Sequence, residues 1–106
     1  MTIEHPDHGG RVRLELLDAE EQSASYAVTL FVADARWDAT ARVDAAQDAA
    51  PPQCGAWTVA NSPHGDPPAW LLRYAVSMLA VLQRDHRGSK SARWPRRILR
   101  WRAERA

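Results

Sequence analysis

The sequence predicts an α+β domain: a four-stranded antiparallel β-meander packed against one long buried helix and a C-terminal amphipathic helix. Three observations predict it. Apolar and polar residues alternate in two stretches before residue 46, the period of two that marks strands, and a stretch apolar on both faces lies between them. A nearly unbroken apolar segment, Ala69 to His86, follows a proline-rich turn and is long enough for a helix. The last sixteen residues, SARWPRRILRWRAERA, interleave two tryptophans with six arginines. With 106 residues there is material for one core, so residues 1–106 are read as a single domain. A chain that is 45% hydrophobic and 25% charged lies far from the disordered class.

The first ten residues, ending in Gly9-Gly10, are expected to be disordered. From Arg11 to Leu17, Val12, Leu14 and Leu16 alternate with charged residues, giving a half-buried strand. Asp18 to Gln22 is a polar connection suited to a hairpin. Between Ala24 and Ala33, Tyr26, Val28, Leu30 and Val32 share one face while Phe31 and small residues share the other, as expected of a central strand. Arg36 to Ala45 alternates most regularly, with Trp37, Ala39, Ala41 and Val43 against Arg36, Asp38, Thr40, Arg42 and Asp44. Its charged side reads as a solvated face. Pro51-Pro52 marks a loop, and Ala56 to Ala60 gives a short fourth strand with Trp57 and Val59. Asp66 is placed to cap a helix over residues 68–87, with Pro67 and Pro68 where missing N–H groups cost least and Gly88 as its stop. Within that helix only Arg73, Ser77 and Arg84 form a polar stripe, so it is expected to be largely buried.

Residues 89–106 form a basic C-terminal segment. A helix starting at Pro95 places Trp94, Ile98 and Trp101 in one sector and Arg96, Arg97 and Arg100 on the other side. The indoles are expected to dock while the guanidinium groups stay in water, the end fraying from Arg102 onward.

Charge is strongly segregated along the chain. Residues 1–66 carry eleven carboxylates against four arginines, net −7, and residues 67–106 carry ten cations against two carboxylates, net +8. Such asymmetry points to a polyanionic partner, or to attraction between the two halves within or between molecules. Arg93, Arg96, Arg97, Arg100 and Arg102 are therefore the candidate surface for an anion or a partner.

No catalytic constellation or metal site is read from the sequence. Ser62, His64 and Asp66 are triad residue types, but alternate residues of one turn seldom converge, and they serve as turn formers and cap. Pro67 and Pro68 remove the N–H groups that a phosphate-binding helix start would offer. His5 and His8 supply too few ligands for a metal, with His64 and His86 far along the chain. Cys54 is the lone cysteine and has no flanking cation to activate it, so an ordinary thiol in a reducing compartment is expected. No signal peptide or membrane-spanning run is read, which makes cytoplasmic location the expectation and a membrane partner not expected. The chain is accordingly read as a small non-enzymatic protein without a cofactor, acting through contact with another protein or through self-association. The alternative is a nucleic-acid-binding accessory protein. Five C-terminal arginines on phosphates would give a salt slope near −4.5, roughly a 500-fold loss of affinity between 50 and 200 mM salt.

Overall fold

A computed structural model of the chain describes residues 8–46, 51–54, 58–60, 65–88 and 93–103. Three long strands, β1 (Gly10–Ala19), β2 (Ser23–Val32) and β3 (Ala35–Asp44), form the expected antiparallel meander. Val12 stands opposite Leu30 and Leu30 opposite Trp37, so the alternating apolar sets of all three strands fall on one face. The shift in register between Leu16 and Asp18 leaves Leu17 exposed at the end of β1.

A two-residue strand, β4 (Gln53–Cys54), forms in the stretch after Pro51-Pro52 that the sequence reads as a loop, and the predicted fourth strand appears as β5 (Thr58–Ala60); both are antiparallel to β3. Trp57, read as part of that strand, lies outside the described residues. So do residues 1–7, whereas Gly10 already belongs to β1. Gly10 is an adaptation to packing. A Cβ there would lie 2.7 Å from Leu71 and 2.9 Å from Trp70, inside contact distance, so glycine lets the following helix settle onto the strand.

That helix, α1 (Ala69–Gly88), covers the apolar face of the meander. Leu71, Ala75, Leu79 and Leu82 form its buried stripe, packed against Val12, Leu14, Tyr26, Val28, Leu30 and Trp37. Arg73, Ser77 and Arg84 lie on its exposed side, as their spacing predicted. The first helical hydrogen bond runs from Leu72 N–H to the Pro68 carbonyl at 3.0 Å, which puts the cap at Pro68 and not at Asp66. At the other end, three polar side chains of α1 bind backbone carbonyls at or just beyond the strand ends. Gln83 donates to Asp44, Arg87 donates to Ala46, and His86 Nε2 lies 2.6 Å from the Glu21 carbonyl. Facing a carbonyl, which can only accept, Nε2 is the donor of this bond.

The C-terminal amphipathic helix predicted for this segment is absent: among the described residues α1 is the one helix, and Arg97–Arg102 forms β6. It pairs antiparallel with β1, Ile98 opposite Leu14 and Arg100 opposite Val12. The physical reason is the edge of β1. A helix would leave one side of that strand's N–H and C=O groups without a sheet partner, and a helix this short is marginal in isolation. As a strand, the same six residues satisfy the β1 ladder and still place Ile98 on the core. The approach is pinned from both sides. Tyr26 donates its hydroxyl to the Pro95 carbonyl at 2.8 Å, and Trp94 stacks on His86 with ring centres 4.0 Å apart. The finished sheet runs β4-β3-β2-β1-β6, with β5 also on β3.

Candidate functional site

β6 sits at an edge of the sheet, and its six residues divide by face. Ile98, Arg100 and Arg102 stand opposite Leu14, Val12 and Gly10 and share the side covered by α1. Arg97, Leu99 and Trp101 stand opposite Glu15, Arg13 and Arg11 and share the open side. This disperses the five arginines singled out from the sequence. Arg93 lines a small recess with His86 and Trp94 at the end of α1. Arg96 is exposed, and its carbonyl accepts from Leu16 N–H at 2.8 Å. Arg97 is on the open face, Arg100 is exposed on the helix side, and the Arg102 guanidinium lies 4.8 Å from the centre of the Tyr74 ring. The segment is not a single cationic stripe.

The open face sets Phe31 among arginines of the neighbouring strands, including Arg36 from the side of β3 that its alternation marks as solvated. Across one row of the sheet, from β6 to β3, stand Trp101, Arg11, Phe31 and Arg36. Phe31 is fully buried, although among the described residues the one helix lies on the other side of the sheet. The guanidinium groups of Arg13 and Arg36 lie 5.3 and 5.6 Å from its ring centre and screen it from water. A polar network ties these arginines down. Arg36 donates twice to the Asp38 carboxylate, at 3.0 and 3.1 Å, and Thr29 donates to the same carboxylate at 2.9 Å. Arg13 Nε lies 2.8 Å from Glu15 Oε1, an ion pair whose alignment falls short of a hydrogen bond. The signal that could have revealed this row was Phe31 itself, the one large apolar residue out of phase with Tyr26, Val28, Leu30 and Val32.

Trp101 is different. Its indole N–H donates to the His8 carbonyl at 2.9 Å and its ring lies against Gly9, yet the residue remains 45% exposed. Trp94 is half-buried and donates to the Glu20 carbonyl at 3.1 Å. One indole therefore docks and the other presents an apolar surface at the β6 edge.

That edge also carries backbone groups. Leu16 N–H donates to the Arg96 carbonyl, which sets the alternation of the antiparallel ladder. Ile98, Arg100 and Arg102 bond to β1, and the N–H and C=O groups of Arg97, Leu99 and Trp101 point away from it. In keeping with this, the Leu99 carbonyl accepts from the Arg100 guanidinium at 3.0 Å. Among the described residues no strand pairs with this outer side.

Other chemistry is sparse among the described residues. No three histidine, cysteine or acidic side chains gather as metal ligands. Ser62 and His64 lie outside the described residues, and Asp66 lines a shallow 440 Å³ depression with His8, Asp34 and Trp70. Burial pushes the Tyr26 phenol up to about 12, well clear of acid–base work near neutrality. Among the described residues no helix is long and apolar enough to cross a membrane. No family model matches the chain, and no match is found among curated proteins or solved structures.

Proposed function

We propose that this chain is a non-enzymatic, cytoplasmic binding module that engages another protein through the β6 side of its sheet. The observation that carries the reading is the combination at that edge: outward-pointing backbone groups of Arg97, Leu99 and Trp101 beside a half-exposed indole. Unsatisfied strand edges are templates for a further chain, and exposed tryptophans dominate many protein contacts. A second copy of the chain fits less well, because pairing β6 with itself gathers the three arginines of each copy on adjacent strands. The nucleic-acid reading receives less support. Its five arginines are scattered over both faces, and on the open face the Arg13 and Arg36 guanidinium groups already engage carboxylates.

Selection from a random peptide display library against the immobilised chain tests this. The expected result is a set of binders whose affinity falls at least roughly tenfold against Trp101→Ala, the loss typical of a central interface anchor. A library yielding no Trp101-dependent binder overturns the reading. Anisotropy with labelled single-stranded DNA and RNA at 50 mM salt then decides for or against the nucleic-acid alternative.

A further inference from the structure

The chemistry along the outer edge of β6 narrows the partner. Its main-chain groups come from every second residue, Arg97, Leu99 and Trp101, the spacing at which one extended strand bonds to another. Its side chains set three cations, Arg97, Arg100 and Arg102, beside three apolar groups, Ile98, Leu99 and Trp101. Arginines on a strand edge ordinarily protect it from unwanted pairing. Here the protection is selective: it repels basic and self-like strands and attracts acidic ones. Next to the edge, a recess of about 250 Å³ opens between α1 and β6, lined by Trp70, Arg73, Tyr74, Ser77 and Arg102. Two arginines and two hydroxyl-bearing residues, Tyr74 and Ser77, therefore border the place where a side chain opposite Arg102 would enter.

We propose that β6 adds an extended acidic segment of a partner protein as a further strand of the sheet. The proposal rests on the protein-binding reading above and supplies its partner class. The segment carries carboxylates opposite Arg97, Arg100 and Arg102, and apolar residues opposite Ile98, Leu99 and Trp101. The carboxylate opposite Arg102 enters the recess and meets Arg73 as well. The Arg100 guanidinium, which in the free protein caps the Leu99 carbonyl, releases that carbonyl to the incoming N–H and turns to the partner's acid.

The probe is the capped octapeptide Gly-Glu-Val-Glu-Val-Val-Glu-Gly, which offers this pattern in the antiparallel sense, titrated into the isotopically labelled full chain by NMR. The expected result is saturable binding with the largest shifts on β6 amides, weakened several-fold between 50 and 200 mM salt. The same peptide with lysine for glutamate is expected to bind at least roughly tenfold more weakly. Two N-methylated versions, blocking one or the other alternate set of peptide amides, are expected to differ by at least roughly tenfold, since only one set faces β6. On the protein, Leu99→Pro removes an outward N–H that β1 does not use, and is expected to lose roughly tenfold or more in affinity where Leu99→Ala loses about threefold or less. Should Leu99→Pro fail to fold, the methylated peptides decide. Equal binding of the two methylated peptides, equal binding of the acidic and basic peptides, shifts centred on α1, or no binding at millimolar peptide would each overturn the proposal. Failure here beside Trp101-dependent binders from the library removes strand addition and leaves the protein-binding reading standing. Failure of both removes both.

Discussion

The sheet buries aromatic rings on both of its faces, by different means. On the covered side Trp37 and Tyr26 disappear beneath the Leu71, Ala75, Leu79 and Leu82 stripe of α1, in ordinary apolar packing. On the other side Phe31 is buried just as completely, but its cover is two arginine side chains held by Asp38 and Glu15. Removing water from a ring does not require a second apolar layer. Arginine stems and flat guanidinium groups suffice when carboxylates fix their positions. A face built this way stays wet on its outside, and it leaves the neighbouring β6 edge open in a way that a second helix would not.

Phe31→Ala strikes this contrast between the faces where the expected effect is greatest. If the arginine cover produces a true core position, the substitution costs about 3 kcal/mol or more, similar to Leu30→Ala beneath the helix, measured by urea unfolding. A loss below about 1 kcal/mol would show that Phe31 is merely screened. The covered face has its own signature in pH. Burial raises the Tyr26 phenol from 10 to about 12, so the folded state holds this proton more tightly than the unfolded chain does. Its contribution is complete below pH 10 and is lost as pH climbs from there towards 12, amounting to about 1 kcal/mol by pH 11. Tyr26→Phe is expected to flatten that decline, although it also removes the hydrogen bond to Pro95. The smallest expected effect is that of Arg36→Met, which keeps an apolar stem over Phe31 but gives up the cation and the bidentate Asp38 pair. It is expected to cost about 1 kcal/mol at low salt and less in 1 M NaCl, whereas Leu30→Ala is expected to be insensitive to salt.

Much of the fold was legible because it rests on local period. The alternation of Val12, Leu14 and Leu16, and of Trp37, Ala39, Ala41 and Val43, fixed both the strands and the face they bury. Phe31 marked β2 as central. The segment after Pro95 is ambiguous in period: Trp94, Ile98 and Trp101 share a helical sector, yet Leu99, Arg100, Trp101 and Arg102 also alternate as in a strand. What decides between them is the edge of β1, a partner some eighty residues away that no local pattern announces. Charge misled for a similar reason. The first 66 residues sum to −7, but all four of their arginines, Arg11, Arg13, Arg36 and Arg42, belong to the open face, so a segment's net charge did not describe a surface. Of the proposed site, the C-terminal segment stands out in the sequence by its arginines and tryptophans, whereas the outward direction of the Arg97, Leu99 and Trp101 backbone follows only from the ladder.

Backbone hydrogen exchange along β6 in the free protein, read amide by amide by NMR, tests this pairing directly. The expected pattern is alternation, with Ile98, Arg100 and Arg102 protected by their bonds to β1 and Arg97, Leu99 and Trp101 exchanging quickly at the open edge. Continuous protection from Ile98 through Arg102, as a helix would give, or fast exchange at every position, would contradict it.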